Sequence, residues 1–215
     1  YVPVGDTDMD NVIDAIFRAE PDFVFNALIG ESSYAFFRKF RFACAERGID
    51  QATRFPVASC NLSEPELVEI GPDAADGHIS SSVYFSSLPG KRNSQFVAAY
   101  NGAFPDGPVV SAEAEAAFIA VSLLANTIAA AGSAEVNSVK RSVVLQSFDA
   151  PQGRIMIDPE TLHAYLTPRI GRSRSDYMFD VLVEARQPVR PDPYMIRSSA
   201  ALEPLQRQSL VRIVS

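Results

Sequence analysis

The sequence predicts an α/β fold in which parallel sheets are flanked by helices, with a β-hairpin toward the C-terminus. Three observations carry that expectation. The first eighty-five residues alternate short apolar runs with amphipathic helical patterns, the rhythm of strand–helix units. The run FVFNALI at 23–29 is almost continuously apolar, as in a parallel strand covered on both faces. After Pro151 the period changes to two, with Ile155 and Ile157 alternating with polar neighbours.

Each element has a local reason. Asp8 is placed to cap a helix whose apolar stripe is Met9, Val12, Ile13, Ile16 and Phe17, and Pro21 ends it. Gly30-Glu31-Ser32-Ser33 turns from the first strand into a helix rich in Tyr34, Phe36, Phe37, Phe40 and Phe42, which Gly48 stops. A short strand at 55–59 leads to Ser63-Glu64-Pro65-Glu66, a capping box with proline in the first turn, and so to a helix reaching Ile70. Residues 77–85 read as the next strand. Helices follow over 94–104, 111–131 and 135–145. In the longest, Ala114, Ala117, Phe118, Val121, Leu124, Ala125 and Ile128 line one side, with Glu113 and Glu115 at its positive end. Residues 165–172 and 177–185 form two arms of a hairpin turning at 173–176. Beyond Pro188 the proline-rich chain reads as an extended linker and then an amphipathic tail.

Composition narrows the function. The chain has 215 residues, 47% hydrophobic and 21% charged, with a net charge of −7. That is ordinary globular material, enough for one large domain or two smaller ones. Direct nucleic-acid binding needs a basic stripe, and the densest basic cluster is three arginines within 169–174. The apolar stretch 114–131 carries Glu115, Ser122, Asn126 and Thr127, so it reads as a buried helix and not a membrane span. Cys44 and Cys60 are expected as small buried residues without a disulfide. The chain begins at Tyr1 without a methionine, directly in strand-like sequence, which reads as a piece of a longer protein.

No enzyme is expected. His78 and His163 are the only histidines, neither lies in a nucleophile elbow or beside an acid at useful spacing, and both read as surface or strand residues. Metal-ligand spacing, Gly-x-Gly-x-x-Gly and P-loop patterns are absent, so neither metal nor cofactor is expected. What remains is loop chemistry at the carboxyl ends of the strands. One loop is Ile29-Gly30-Glu31-Ser32, where glycine permits close backbone approach and a hydroxyl can meet a polar ligand. The other is Ser59-Cys60-Asn61-Leu62-Ser63, ending at the capped helix, with Asn61, Leu62 and Ser63 as its candidate contacts. The plainer role of Ser32, Ser33 and Ser63 is helix capping, and the residues alone favour it; Glu31 reads equally as a solvated acid at a helix start.

Five phrases resemble one family: GESSYAFF at 30–37, the strand 77–87 ending in Tyr84-Phe85-Ser86-Ser87, EAEAA at 113–117, DAPQGRIMID at 149–158 and PVRPDPY at 188–194. Together they are similar to the type I periplasmic-binding-protein-like receptors for short-chain amides and urea. These include substrate-binding subunits of ABC importers and the amide sensor of amidase operons. The resemblance runs from Tyr1 to about Arg197 and corresponds to the second half of that family's sequence. It implies a two-lobed fold joined by three crossovers, with residues 1–83 in the second lobe, 84–178 returning to the first, and 179–215 crossing back before the tail. It also implies a small amide-like ligand held by the loops at 29–32 and 61–63, where Leu62 replaces the sensor's hydroxyl residue. The leading expectation is an amide sensor; the alternative is an ABC-importer subunit for urea, amides or branched-chain amino acids. The partner is an antitermination regulator in the first case and a permease in the second, the location cytoplasmic or periplasmic respectively. A lobe lacking strands from the other half is expected either to associate with another copy or to be part of a longer protein, and not to bind ligand with the intact receptor's affinity.

Overall fold

The computed structural model describes residues 1–193, Met195 and, as backbone, residues 211–213. The amphipathic tail expected beyond the proline-rich segment lies outside the described residues except for 211–213, as do Tyr194 and Pro204.

The chain opens with α1 (Asp10–Ala19), β1 (Val24–Asn26), α2 (Gly30–Glu46), α3 (Gln51–Arg54), β2 (Val57–Ser59), α4 (Glu64–Ile70) and β3 (Ile79–Ser82). It continues through α5 (Lys91–Ala103), α6 (Ala112–Ala131), α7 (Val136–Val143), β4 (Ser147–Ala150), β5 (Gly153–Ile157) and β6 (Ala164–Tyr165). It closes with β7 (Arg169–Ser173), β8 (Phe179–Ala185) and β9 (Val211–Ile213). One sheet has the order β1-β2-β3-β7-β8-β9, and the second has β4-β5-β6. β1, β2 and β3 are parallel, β7 adds antiparallel to β3, and the β7–β8 hairpin is antiparallel with a bulge at Ile170/Gly171. This is the mixed α/β architecture expected, hairpin included.

The main core lies under the first sheet. Phe36, Phe37 and Phe40 of α2 are buried with Phe55, Leu67 and Ile13, and the Phe36 and Phe40 rings stack with centroids 5.4 Å apart. α2 ends in a Schellman arrangement: Gly48, at φ +67°, donates to Ala45, and Ile49 donates to Cys44. The capping box forms as expected, with the Ser63 N–H donating to Glu66 Oε2 at 3.0 Å while Ser63 caps α4.

The structure corrects several local expectations. α1 starts one residue late, at Asp10, although Asp8 still accepts the Asp10 N–H at 3.2 Å. β1 is an edge strand only three residues long, and Phe25 is 63% exposed, with no element among the described residues covering its outer face. Phe42 of α2 is likewise 63% exposed. Tyr165 belongs to β6 in the second sheet, and the hairpin arm begins at Arg169. Cys44 is buried but Cys60 is exposed, and both are free thiols. His78 is buried against the Phe37 ring, its Nε2 2.7 Å from the Ala74 carbonyl, and burial drives its pKa down to about 4.

The largest correction concerns α6. Its buried positions are Glu115, Ile119, Leu123 and Thr127, whereas Phe118, Val121 and Leu124 are 42%, 70% and 50% exposed. The helix is apolar on every side, with a mean hydropathy of 1.6 over its best eighteen residues, so periodicity could not select the buried face. By length and composition it could cross a membrane, and only 22% of that stretch is buried. The side it does bury carries a carboxylate, Glu115, held by two hydrogen bonds from Gln152, which is the behaviour of a packed domain helix.

Candidate functional site

Four element ends converge on one hollow. α2 and α6 begin there, and β2 and β3 end there, so backbone termini and short loops form its walls. The cavity is about 210 Å³. Ile29 and Gly30 supply one wall, and 60–63 supply the second. Ser81 and Ser82 at the end of β3, with Ala112 and Glu113 at the start of α6, complete it.

Five of the seven sequence-selected residues therefore meet: Ile29, Gly30, Asn61, Leu62 and Ser63. Loop chemistry explains the geometry. Gly30 has φ +57°, a left-handed conformation that other residues adopt at a cost, and it lets the chain turn sharply from extended Ile29 into α2. No side chain caps α2, so its first-turn N–H groups have no side-chain acceptor in that role. In the second loop the Asn61 N–H donates to Ser59 Oγ at 3.1 Å, and Ser80 Oγ donates to the Leu62 carbonyl at 2.6 Å, which pins the loop to both neighbouring strands. Leu62 turns its side chain into the main core, and Ser63 is committed to the capping box.

Glu31 and Ser32 are not brought to this hollow. Glu31 is exposed and lies 3.8 Å from Arg38. Ser32 is buried; its Oγ accepts the Gly5 N–H at 2.9 Å and donates to the Pro3 carbonyl, anchoring the N-terminal segment to α2. Ser81, Ser82 and Glu113 were missed as site residues. The rule that ligands gather at strand carboxyl ends could have found the serines at the end of β3, but nothing local brings α6 to that end of the sheet.

The cavity's charged side chains are Glu66 and Glu113, and Glu66 is occupied by Ser63. Two helix starts supply N–H donors or positive dipole ends, and Glu113, Asn61 and the serines supply acceptors. The wall thus offers both hydrogen-bond donors and acceptors.

The chain passes twice between the two sheets, between β3 and β4 and between β6 and β7; beyond β8, Val189 bridges Leu166, and β9 pairs with β8 in the first sheet. Glu64, wholly buried at the start of α4, accepts the Ser86 N–H at 2.7 Å and its hydroxyl at 2.9 Å, and burial pushes its pKa up. The PVRPDPY phrase returns to the DAPQGRIMID phrase through Arg190, which is 2.8 Å from Asp158 Oδ1 and 3.1 Å from Glu160. Burial works to raise the Asp158 pKa, but hydrogen bonds from Thr161 and Arg190 outweigh it and leave the carboxyl below its usual range. Those two phrases thus meet as a structural latch beside the Leu166–Val189 bridge.

Comparison with known proteins bears on this geometry. A family model described as "Periplasmic binding protein domain" matches residues 1–200. A solute-binding protein of an R. palustris ABC transporter, solved in complex with 4-hydroxybenzoate, superposes with a TM-score of 0.72 at 22% identity, covering 91% of this chain and 53% of that one. An amino acid ABC transporter substrate-binding protein from Pseudomonas fluorescens gives 0.70 at 18% identity, covering 89% and 51%. Among curated proteins, a limonene hydroxylase of Geobacillus stearothermophilus is 27% identical over 126 residues, 59% of this chain but 23% of that protein. The chain spans about half the length of the solved chains it matches.

Proposed function

Because the chain belongs to the periplasmic binding protein domain family, we propose that it is the ligand-recognising part of a two-lobed receptor, the substrate-binding component of an ABC importer for a short-chain amide, urea or similar small polar molecule. The observation that carries this reading is the cavity where α2, the 60–63 loop, the end of β3 and the start of α6 meet. In it the first-turn N–H groups of α2 donate to a ligand carbonyl, while Glu113 and Asn61 accept from the ligand's N–H groups. The solved relatives named with a hydroxybenzoate hold an anion. This wall instead carries acids and no Lys, Arg or His, which favours a neutral, donor-bearing ligand.

In this reading residues 1–83 form one lobe, and the chain enters the other lobe at about residue 84. We place its return near Thr167 and not at 178, since β7 pairs with β3. The chain leaves the sheet after β8, and residues 211–213 pair with β8 within it. Ligand shifts the population from open to closed, and the closed form docks on a permease outside the cytoplasmic membrane. A cytoplasmic amide sensor acting on an antitermination regulator is the second reading; the sensor-like Tyr84-Phe85-Ser86-Ser87 phrase and the exposed free thiol of Cys60 favour it.

Calorimetric titration of the full-length receptor with acetamide, butyramide and urea tests the ligand class. Heat with at least one of them is expected, weakened about tenfold or more by Glu113→Gln. Heat with benzoate or a branched-chain amino acid, and none with the amides, would replace the amide reading.

A further inference from the structure

Both crossings between the sheets, and the end of β8, meet at one buried guanidinium. Arg169, at the first position of β7, donates to the Val83 carbonyl in the first crossing and to the Thr167 carbonyl at 3.2 Å in the second. Its Nε lies 3.3 Å from Glu184 Oε2, near the end of β8. Its other terminal nitrogen donates to the Gln152 carbonyl at 3.0 Å, in the β4–β5 turn. Gln152 passes the connection on, donating its backbone N–H at 3.1 Å and its side-chain amide at 2.8 Å to Glu115 in the first turn of α6. Glu115, Gln152 and Arg169 are all buried, and none of them lines the ligand cavity.

We propose that Arg169, Gln152 and Glu115 are positioning residues for ligand binding: a clasp that ties the two crossings and the end of β8 to α6 and sets the open–closed balance of the receptor from outside its cleft. This rests on the reading of the chain as a two-lobed receptor. Two of the bonds from Arg169 go to backbone carbonyls of the crossing segments, Val83 and Thr167, so rotation of those segments during closure cannot leave them unchanged. Because α6 also carries Glu113 at the ligand cavity, two residues before Glu115, the clasp and the cavity share one rigid helix start.

The clasp has two hydrogen-bonding states. Burial pushes the Glu115 pKa up to about 7, against the opposing pull of the Gln152 bonds and of Arg169. The groups that face Glu115 are Gln152 from the β4–β5 turn, Arg169 from β7 and Tyr84 from the first crossing, with Glu184 of β8 on the far side of Arg169. Ionised, Glu115 accepts both Gln152 N–H groups. The Gln152 side-chain oxygen is meanwhile buried without a hydrogen-bond partner. Protonated Glu115 becomes a donor, and a half-turn of the carboxamide supplies that oxygen as its acceptor. The two states hold Gln152, and through its carbonyl Arg169, differently.

The test uses the full-length receptor with acetamide as the probe, titrated at pH 6 and pH 8, together with small-angle scattering of the ligand-free protein at both pH values. The native affinity is expected to change by about threefold or more between them, with a matching change in the scattering envelope. Glu115→Gln should remove the pH dependence of both readings. Arg169→Met should shift the ligand-free envelope at both pH values, and Arg169→Lys should restore part of the shift. If acetamide gives no heat at either pH, the amide reading fails, but the envelope of the ligand-free protein still decides the clasp. A native envelope and affinity that ignore pH, or an E115Q protein whose pH dependence equals the native one, would overturn the proposal even where R169M does not fold.

Discussion

The first sheet with its helices and the α5–α7 region treat apolar surface in opposite ways. Under the first sheet, Phe36, Phe37, Phe40, Phe55 and Leu67 are almost wholly hidden. In the other region the buried clusters are small, built on Tyr84, Leu88, Phe96 and Val110 and on Ile119, Ala150 and Ile155, while Phe118, Val121 and Leu124 remain open. A helix that is apolar on all sides is suited to neighbours on all sides. One region is therefore stabilised by its own core, and the other presents surface suited to a further layer.

The largest effect that could break this comparison is truncation in each core. Phe40→Ala removes a ring enclosed by Phe17, Phe36 and Phe55, and should cost about 3–5 kcal/mol in urea unfolding. Phe118→Ala, on the half-open face of α6, should cost under about 1.5 kcal/mol, because much of that ring is already in water. Equal losses at the two positions would mean that the second region has a covered core after all.

Titration separates the regions by sign. His78, in the first, has its pKa lowered to about 4, first by burial. The unfolded chain takes up that proton near pH 6.5 and the folded chain does not, so stability falls as pH drops from about 6.5 to about 4. Glu115, in the second, has its pKa raised to about 7, again first by burial. The unfolded chain releases its proton near pH 4.5 while the folded chain keeps it, so stability falls as pH rises from about 4.5 to about 7. Each contribution is on the order of 2–3 kcal/mol, and between pH 5 and 6.5 they oppose each other. Denaturation at pH 5 and pH 6.5 should find H78Q losing stability as pH rises and E115Q gaining it. Parallel slopes in the two variants would refute the assignment.

What could be read from the sequence follows the range of the forces involved. The capping box at 63–66, the glycine stop of α2 and the 169–185 hairpin are local, and all three were legible. So were five of the cavity residues, since strand ends and helix starts carry their own signals. The buried face of α6 was not, because an all-apolar helix has no periodic signal to report. Nor was the Arg169 network, whose partners lie as far as 86 positions away along the chain. The exposure of Phe25 was also hidden: a continuous apolar run describes a strand that can be covered twice, without saying whether both covers are present.

The smallest effect is the most direct comparison, since the same change should have opposite signs in the two regions. At Gly171, on the β7 bulge, an added Cβ would sit 2.7 Å from Cζ of Phe85 and 2.9 Å from its Cε2. That ring is buried and packed on Phe179 with centroids 4.7 Å apart, so it has little room to retreat. Gly171→Ala should therefore cost about 1–3 kcal/mol, the penalty of overpacking. Gly102, in the last turn of α5, meets nothing within 4 Å of a built Cβ and is exposed. There Gly102→Ala only removes backbone freedom from the unfolded chain and improves helix propensity, and should stabilise by about 0.5 kcal/mol. Urea midpoints of the two variants, measured against the native protein at constant slope, read both signs. A loss at Gly102 would show that the outer face of α5 is covered, and that the contrast between the two regions is weaker than their exposed side chains indicate.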